Sequence, residues 1–112
     1  MKTHTVVFTP EAEEQLVKLY RYIEENASAG VALRYTNAVV EHCESLAELP
    51  HRGAPRDDIR PGLRITPYKR RTVIAYSVES DLVLIIGVFH GGGDYELTLQ
   101  PDSDPESPEE PG

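Results

Sequence analysis

Two periods divide this chain. Between Thr9 and Leu49 apolar residues recur three and four positions apart, and between Leu63 and His90 they alternate or run together. The first spacing is that of a helix face and the second that of a strand. Ahead of both, Thr5 to Thr9 carries Val6, Val7 and Phe8, residues that suit a pleated surface, and predicts a short strand. Thr9-Pro10-Glu11 then opens a helix: a hydroxyl to cap it, a proline whose missing N–H costs nothing in the first turn, and an acid at the positive end of the dipole. Ala12, Leu16, Leu19, Tyr20 and Ile23 trace its apolar face, and Asn26-Ala27-Ser28 stops it and caps the next. The second helix is predicted from about Ala29 to Glu48, with Ala32, Tyr35, Val39, Leu46 and Leu49 as its stripe and His42 and Cys43 bridging the gap. Pro50 ends it, because the residue before a proline avoids the helical region. So short a connection makes the two helices an antiparallel hairpin.

Residues 50–61 hold three prolines and no apolar period, and predict a surface loop. Strands follow over Leu63–Thr66, Thr72–Val78 and Leu82–His90, separated by Tyr68-Lys69-Arg70-Arg71 and Glu79-Ser80-Asp81. Pro67 limits the first of these strands or places it on an edge. The third is nearly continuous in apolar residues, so it should be central or covered on both faces. Gly91 to Gly93 permit a sharp turn, and Tyr95 to Leu99 could add a short strand or docked segment. The fold class is therefore α+β: an N-terminal strand, a two-helix antiparallel hairpin and a three-stranded antiparallel meander.

With 112 residues the chain supports one core, assigned to residues 1–99. Residues 100–112 hold four prolines, five acids and no apolar side chain, and are expected to be a disordered acidic tail. The N-terminus lacks the apolar segment of a signal peptide and no run spans a membrane, so the expected location is the cytoplasm without membrane association. A single cysteine, Cys43, forms no internal disulfide and reads as a small buried hydrophobe.

The net charge of −8 conceals a concentration of cations. Residues 51–71 carry Arg52, Arg56, Arg60, Arg64, Lys69, Arg70 and Arg71 against only Asp57 and Asp58. Such a stretch fits an acidic protein face, an acidic peptide or a nucleic acid, or serves to solvate a loop. Nucleic acid is disfavoured by the acidity of the rest and by the lack of an aromatic pair for base stacking. His4, His42, His51 and His90 are too scattered to form a metal site, and no phosphate-binding glycine loop occurs. No metal and no cofactor are expected.

The ordered set Phe8-Thr9-Pro10-Glu11-Ala12, Tyr22-Ile23, Ala32-Leu33-Arg34-Tyr35, Leu46 to Gly53, Ile59 to Arg64, Val73-Ile74-Ala75-Tyr76 and Val88-Phe89-His90-Gly91 resembles the RelE/ParE superfamily of type II toxin–antitoxin toxins, closer to its ParE branch. The resemblance covers roughly residues 5–97. It implies a growth-arresting toxin that poisons DNA gyrase and is neutralised by a ParD-like antitoxin in a hetero-oligomer. That complex would meet operator DNA only through the antitoxin. RelE-like members instead cleave mRNA on the ribosome, and a third alternative is an attenuated toxin serving only as a corepressor. For gyrase binding the expected contacts are Arg60, Arg64, Lys69, Arg70, Arg71 and His90. For the antitoxin they are Leu19, Tyr20, Ile23, Tyr35 and Val39, residues that also suit the core. For a nuclease the only partial set is Arg64, Arg71, His90 and Tyr95, supplying cations and proton-transfer groups. Where the family commonly places one or two arginines after the His-Gly pair, this chain has Gly92 and Gly93.

Overall fold

The computed structural model describes residues 4–91; residues 1–3 and 92–112, including Gly92, Gly93, Tyr95 and the acidic tail, lie outside the described residues. Strand β1 (Thr5–Phe8) leads into helix α1 (Pro10–Asn26), and α2 (Ala29–Glu44) returns antiparallel to it. A short strand β2 (Ala54–Pro55) precedes the meander of β3 (Leu63–Tyr68), β4 (Thr72–Glu79) and β5 (Leu82–His90). All five strands form one sheet in the order β1-β5-β4-β3-β2. The N-terminal strand lies parallel to β5, pairing Thr5 with Leu82 through Phe8 with Ile85, and the remaining pairs are antiparallel. The apolar last strand is thus internal along its first half, as its composition requires.

Both predicted helix starts are present. The Thr9 hydroxyl accepts from the Ala12 amide and the Ser28 hydroxyl from the Val31 amide. Strand β3 runs on through Pro67 to Tyr68, a residue expected in the turn, and two further predictions need correction. The α-helical part of the second helix ends at Glu44, and Ser45–Ala47 tighten into a 3₁₀ turn. There the Ser45 hydroxyl donates to the His42 carbonyl at 2.6 Å, a local bond that competes with the regular ladder. The second correction lies in the loop over 50–61, which contains β2, paired with Ile65 and Arg64 of β3.

The helix hairpin covers one face of the sheet. Ala12, Leu19, Val39, Cys43 and Leu46 meet Ile74, Tyr76, Val83, Ile85 and Val88 in the main core. Cys43 is fully buried, and burial pushes its thiol up to about 12. Among the described residues the other face carries a small cluster, Ile59, Leu63 and Ala75, with Ile65, Ile86 and Phe89 half-buried beside it. A bulge at Ile86, where Ala75 pairs with Gly87 and Tyr76 with Ile85, resets the alternation so that Val88 again faces the helices. Among the described residues no helix is long and apolar enough to cross a membrane.

Candidate functional site

The meander places the β3–β4 turn and the end of β5 at one end of the sheet. Lys69 adopts a positive φ of 58° there, closing a tight turn that leaves Lys69, Arg70 and Arg71 exposed. The Gly91 amide donates to the Arg71 carbonyl at 2.8 Å and ties the end of β5 to this turn. Beneath it Thr72 pairs with His90 across the strands. Thr72 is 1% exposed, and its hydroxyl lies 2.8 Å from His90 Nδ1 and 2.7 Å from the Tyr35 hydroxyl. The His90 ring packs edge-on to Tyr35 and tilted against Tyr22. Tyr35 meets Tyr68, and Tyr68 meets His42, so a row of rings runs beneath the basic turn. Burial, and then the Arg71 charge, lowers the His90 pKa.

The other cations lie elsewhere. Arg64 donates through Nη1 to the Gly53 and His51 carbonyls and so holds the loop that precedes β2. Its strand position faces Tyr76, five residues along β4 from Arg71, a separation of roughly 17 Å at strand rise. Arg56 forms a two-bond pair with Asp58, both bonds at 2.9 Å, and holds that carboxyl below its usual range, the hydrogen bonds being the main cause. Arg52 reaches the Ser45 hydroxyl at 3.2 Å. Arg60 lines a cleft of about 470 Å³ on the sheet face away from the helices, with Glu11, Leu63, Glu79, Ile86 and Phe89. The stretch that is contiguous in sequence is therefore divided between two ends of the sheet. Of the residues expected at a target surface, Lys69, Arg70, Arg71 and His90 come together, whereas Arg60 and Arg64 do not join them.

The residues expected to meet an antitoxin also separate. Val39 is fully buried and Leu19 is 5% exposed, both in the main core, with Ile23 and Tyr35 packed against it. Tyr20 opens on a depression between the helices, beside Leu16, Val17, Thr36 and Val40. The exposed edge of Leu19 instead contributes to a groove between α1 and β5, about 470 Å³ in volume, with Gln15, Lys18, Tyr22, Val88 and His90. These are different surfaces of the hairpin, not one groove.

Sequence reasoning missed Gln15 and the second role of Thr9. Gln15 Oε1 accepts from the Val88 amide at 2.7 Å, and the Thr9 hydroxyl donates to the Ile85 carbonyl at 3.0 Å. Both contacts span more than seventy residues of sequence. Their only signal is the mismatch between a four-residue first strand and a nine-residue last one.

The architecture is shared with known toxin–antitoxin structures. The chromosomal ParDE toxin–antitoxin system of P. aeruginosa aligns with a TM-score of 0.70 at 20% identity, covering 79% of this chain and 96% of that one. The toxin–antitoxin complex RelBE2 of Mycobacterium tuberculosis aligns with a TM-score of 0.62 at 26% identity, covering 79% and 98%. No curated protein sequence matches the chain. The fold and the family match together place the chain among the toxins of type II toxin–antitoxin systems. More narrowly, the family of ParE toxins of the type II parDE systems matches residues 6–95, and the chain belongs to that family.

Proposed function

We propose that this chain is a ParE-like toxin that arrests growth in the cytoplasm by binding DNA gyrase stoichiometrically, and that a ParD-like antitoxin neutralises it. The toxin domain is residues 1–99. The observation that carries this reading is the division of the cations. Arg64 is engaged in holding the 51–53 backbone and sits roughly 17 Å of strand from Arg71, while His90 Nδ1 is committed to Thr72. Among the described residues such a set does not converge on one phosphate with a proton donor and acceptor beside it, which RNA cleavage requires. The Lys69-Arg70-Arg71 turn, by contrast, offers three exposed cations on a short hairpin turn, suited to an acidic protein face. The antitoxin reading rests on family membership, and operator DNA would be reached only through that partner.

Expression without antitoxin, with DNA and protein synthesis labelled separately, tests the target. The expected result is early loss of DNA synthesis and inhibition of supercoiling by purified gyrase. Changing Lys69, Arg70 and Arg71 together to Glu should weaken that inhibition about tenfold or more at unchanged melting temperature. An immediate translation block with cleaved mRNA would replace this reading with a nuclease. Normal growth would leave only the corepressor role.

A further inference from the structure

The loop between β2 and β3 is held by its own backbone. The Arg56 amide donates to the Leu63 carbonyl at 2.8 Å, the Ile59 and Arg60 amides turn back to the Arg56 carbonyl, and the Leu63 amide meets the Arg60 carbonyl at 3.1 Å. Asp57 accepts from the Gly62 amide at 2.8 Å, where Gly62 takes a positive φ of 81°. Ile59, 6% exposed, anchors the loop in the small cluster on the sheet face away from the helices. These contacts fix where the Arg60 side chain leaves the loop. The side chain itself has no hydrogen bond or ion pair among the described residues. Arg60 is half-buried and lines the cleft, yet its Nε is shut off from solvent and bonds to nothing there. Glu11 and Glu79 line the same cleft, but neither forms an ion pair with Arg60. A buried donor without an acceptor is destabilising, and a bound acceptor would remove that cost.

The floor beside Arg60 is apolar. Leu63 pairs with Ser77, Ser77 with Leu84 and Leu84 with Val7, so one row of side chains crosses four strands on this face. Leu84 and Ile86 are half-buried, and Val7 is 39% exposed. Thr9 and Gln15, which also line the cleft, are already bonded to β5. The cleft thus sets one unmet cationic donor against an apolar floor. A carboxylate suits that donor, because Nε and a terminal nitrogen of a guanidinium offer two parallel N–H bonds to its two oxygens. A nucleic-acid backbone suits it poorly, since its repeated charge would run against Glu11 or Glu79.

We propose that this cleft docks a protein segment that carries one acidic side chain between apolar ones. The carboxylate accepts from Arg60, and the apolar neighbours lie on Leu63, Leu84 and Ile86. Glu11 and Glu79 limit the segment to a single acid, because a second carboxylate would meet one of them. The site is separate from the Lys69–Arg71 turn and does not depend on what that turn binds.

Titration of the isotope-labelled full chain with the peptide acetyl-Leu-Glu-Leu-amide tests it, followed at the Arg60 Nε–H resonance and the Leu84 and Ile86 methyls. The peptide should shift all of these and bind at least about tenfold more tightly than the matching Gln peptide, the margin of a charge-assisted pair. Arg60→Lys keeps the charge but loses the planar fork, and should erase most of that margin. Arg60→Met should leave the melting temperature unchanged or raise it, because the free protein loses only an unpaired donor. Equal binding of the two peptides, or no shift with either, would overturn the proposal. So would a markedly lower melting temperature for Arg60→Met, which would make Arg60 a residue of the fold alone. A stronger response of the same resonances to oligouridylate would overturn it in favour of a nucleic acid.

Discussion

Tyr76 does at the scale of one side chain what the 50–55 loop cannot do for itself. Its fully buried hydroxyl donates to the Pro50 carbonyl at 2.9 Å and accepts from the Gly53 amide at 2.8 Å. Burial raises the phenol's pKa, against the opposing pull of the Gly53 amide and of Arg64 and Arg52. Gly53 itself has no room for a side chain, since a Cβ would lie 2.7 Å from the Tyr76 oxygen and 2.9 Å from the Ile65 carbonyl. Tyr76→Phe leaves a buried amide without its acceptor and should cost about 1–3 kcal/mol in urea unfolding at unchanged m. Two histidines supply a pH dependence of the opposite origin. Burial lowers the pKa of His42, assisted by Arg52, and of His90, assisted by Arg71. Between those lowered values and the unfolded value of about 6.5, the unfolded chain holds the extra protons. Their contribution to stability is complete above about pH 6.5 and is lost as the pH falls through the native values. Urea midpoints at pH 7.5, 6 and 5 should therefore decline, and a His42→Phe, His90→Asn double variant should flatten that slope.

At the scale of elements, Thr9 joins a helix to a strand. Its hydroxyl caps α1 through the Ala12 amide at 3.1 Å while donating to the Ile85 carbonyl, and its own amide donates to the same carbonyl. Thr9→Ala should lose about 1–2 kcal/mol, and Thr9→Ser should retain most of it, measured as the shift in denaturation midpoint. The cap was legible because Thr-Pro-Glu before an apolar stripe is local chemistry, and the bond to Ile85 was not because nothing nearby encodes it. The same distinction explains the other differences. Both helix starts and the Glu79-Ser80-Asp81 turn announce themselves within a few residues. The 3₁₀ ending was hidden by Leu46 and Leu49, which continue the helical period past the point where the ladder stops. β2 was hidden because Ala54-Pro55 has no pattern of its own and is positioned by Tyr76 and Arg64 from other strands. For the site, neighbours in sequence misled. A hairpin strand carries its first and last residues to opposite ends of the sheet, so Arg64 and Arg71 part although seven positions separate them.

For the whole molecule the consequence is an uneven field. A chain of net charge −8 exposes Lys69, Arg70 and Arg71 together at one end of its sheet, and residues 100–112 carry five of its acids. Encounter with an acidic face should thus be oriented and sensitive to ionic strength, because exposed charges are screened beyond about 8 Å at physiological salt. The length of β1 bears on a different property. Four residues beside a strand of nine leave a stretch of sheet edge that Thr9 and Gln15 occupy with single side chains. Strand edges of this kind are templates for aggregation, so among the described residues it falls to the Thr9 and Gln15 side chains to keep this one from pairing with another molecule.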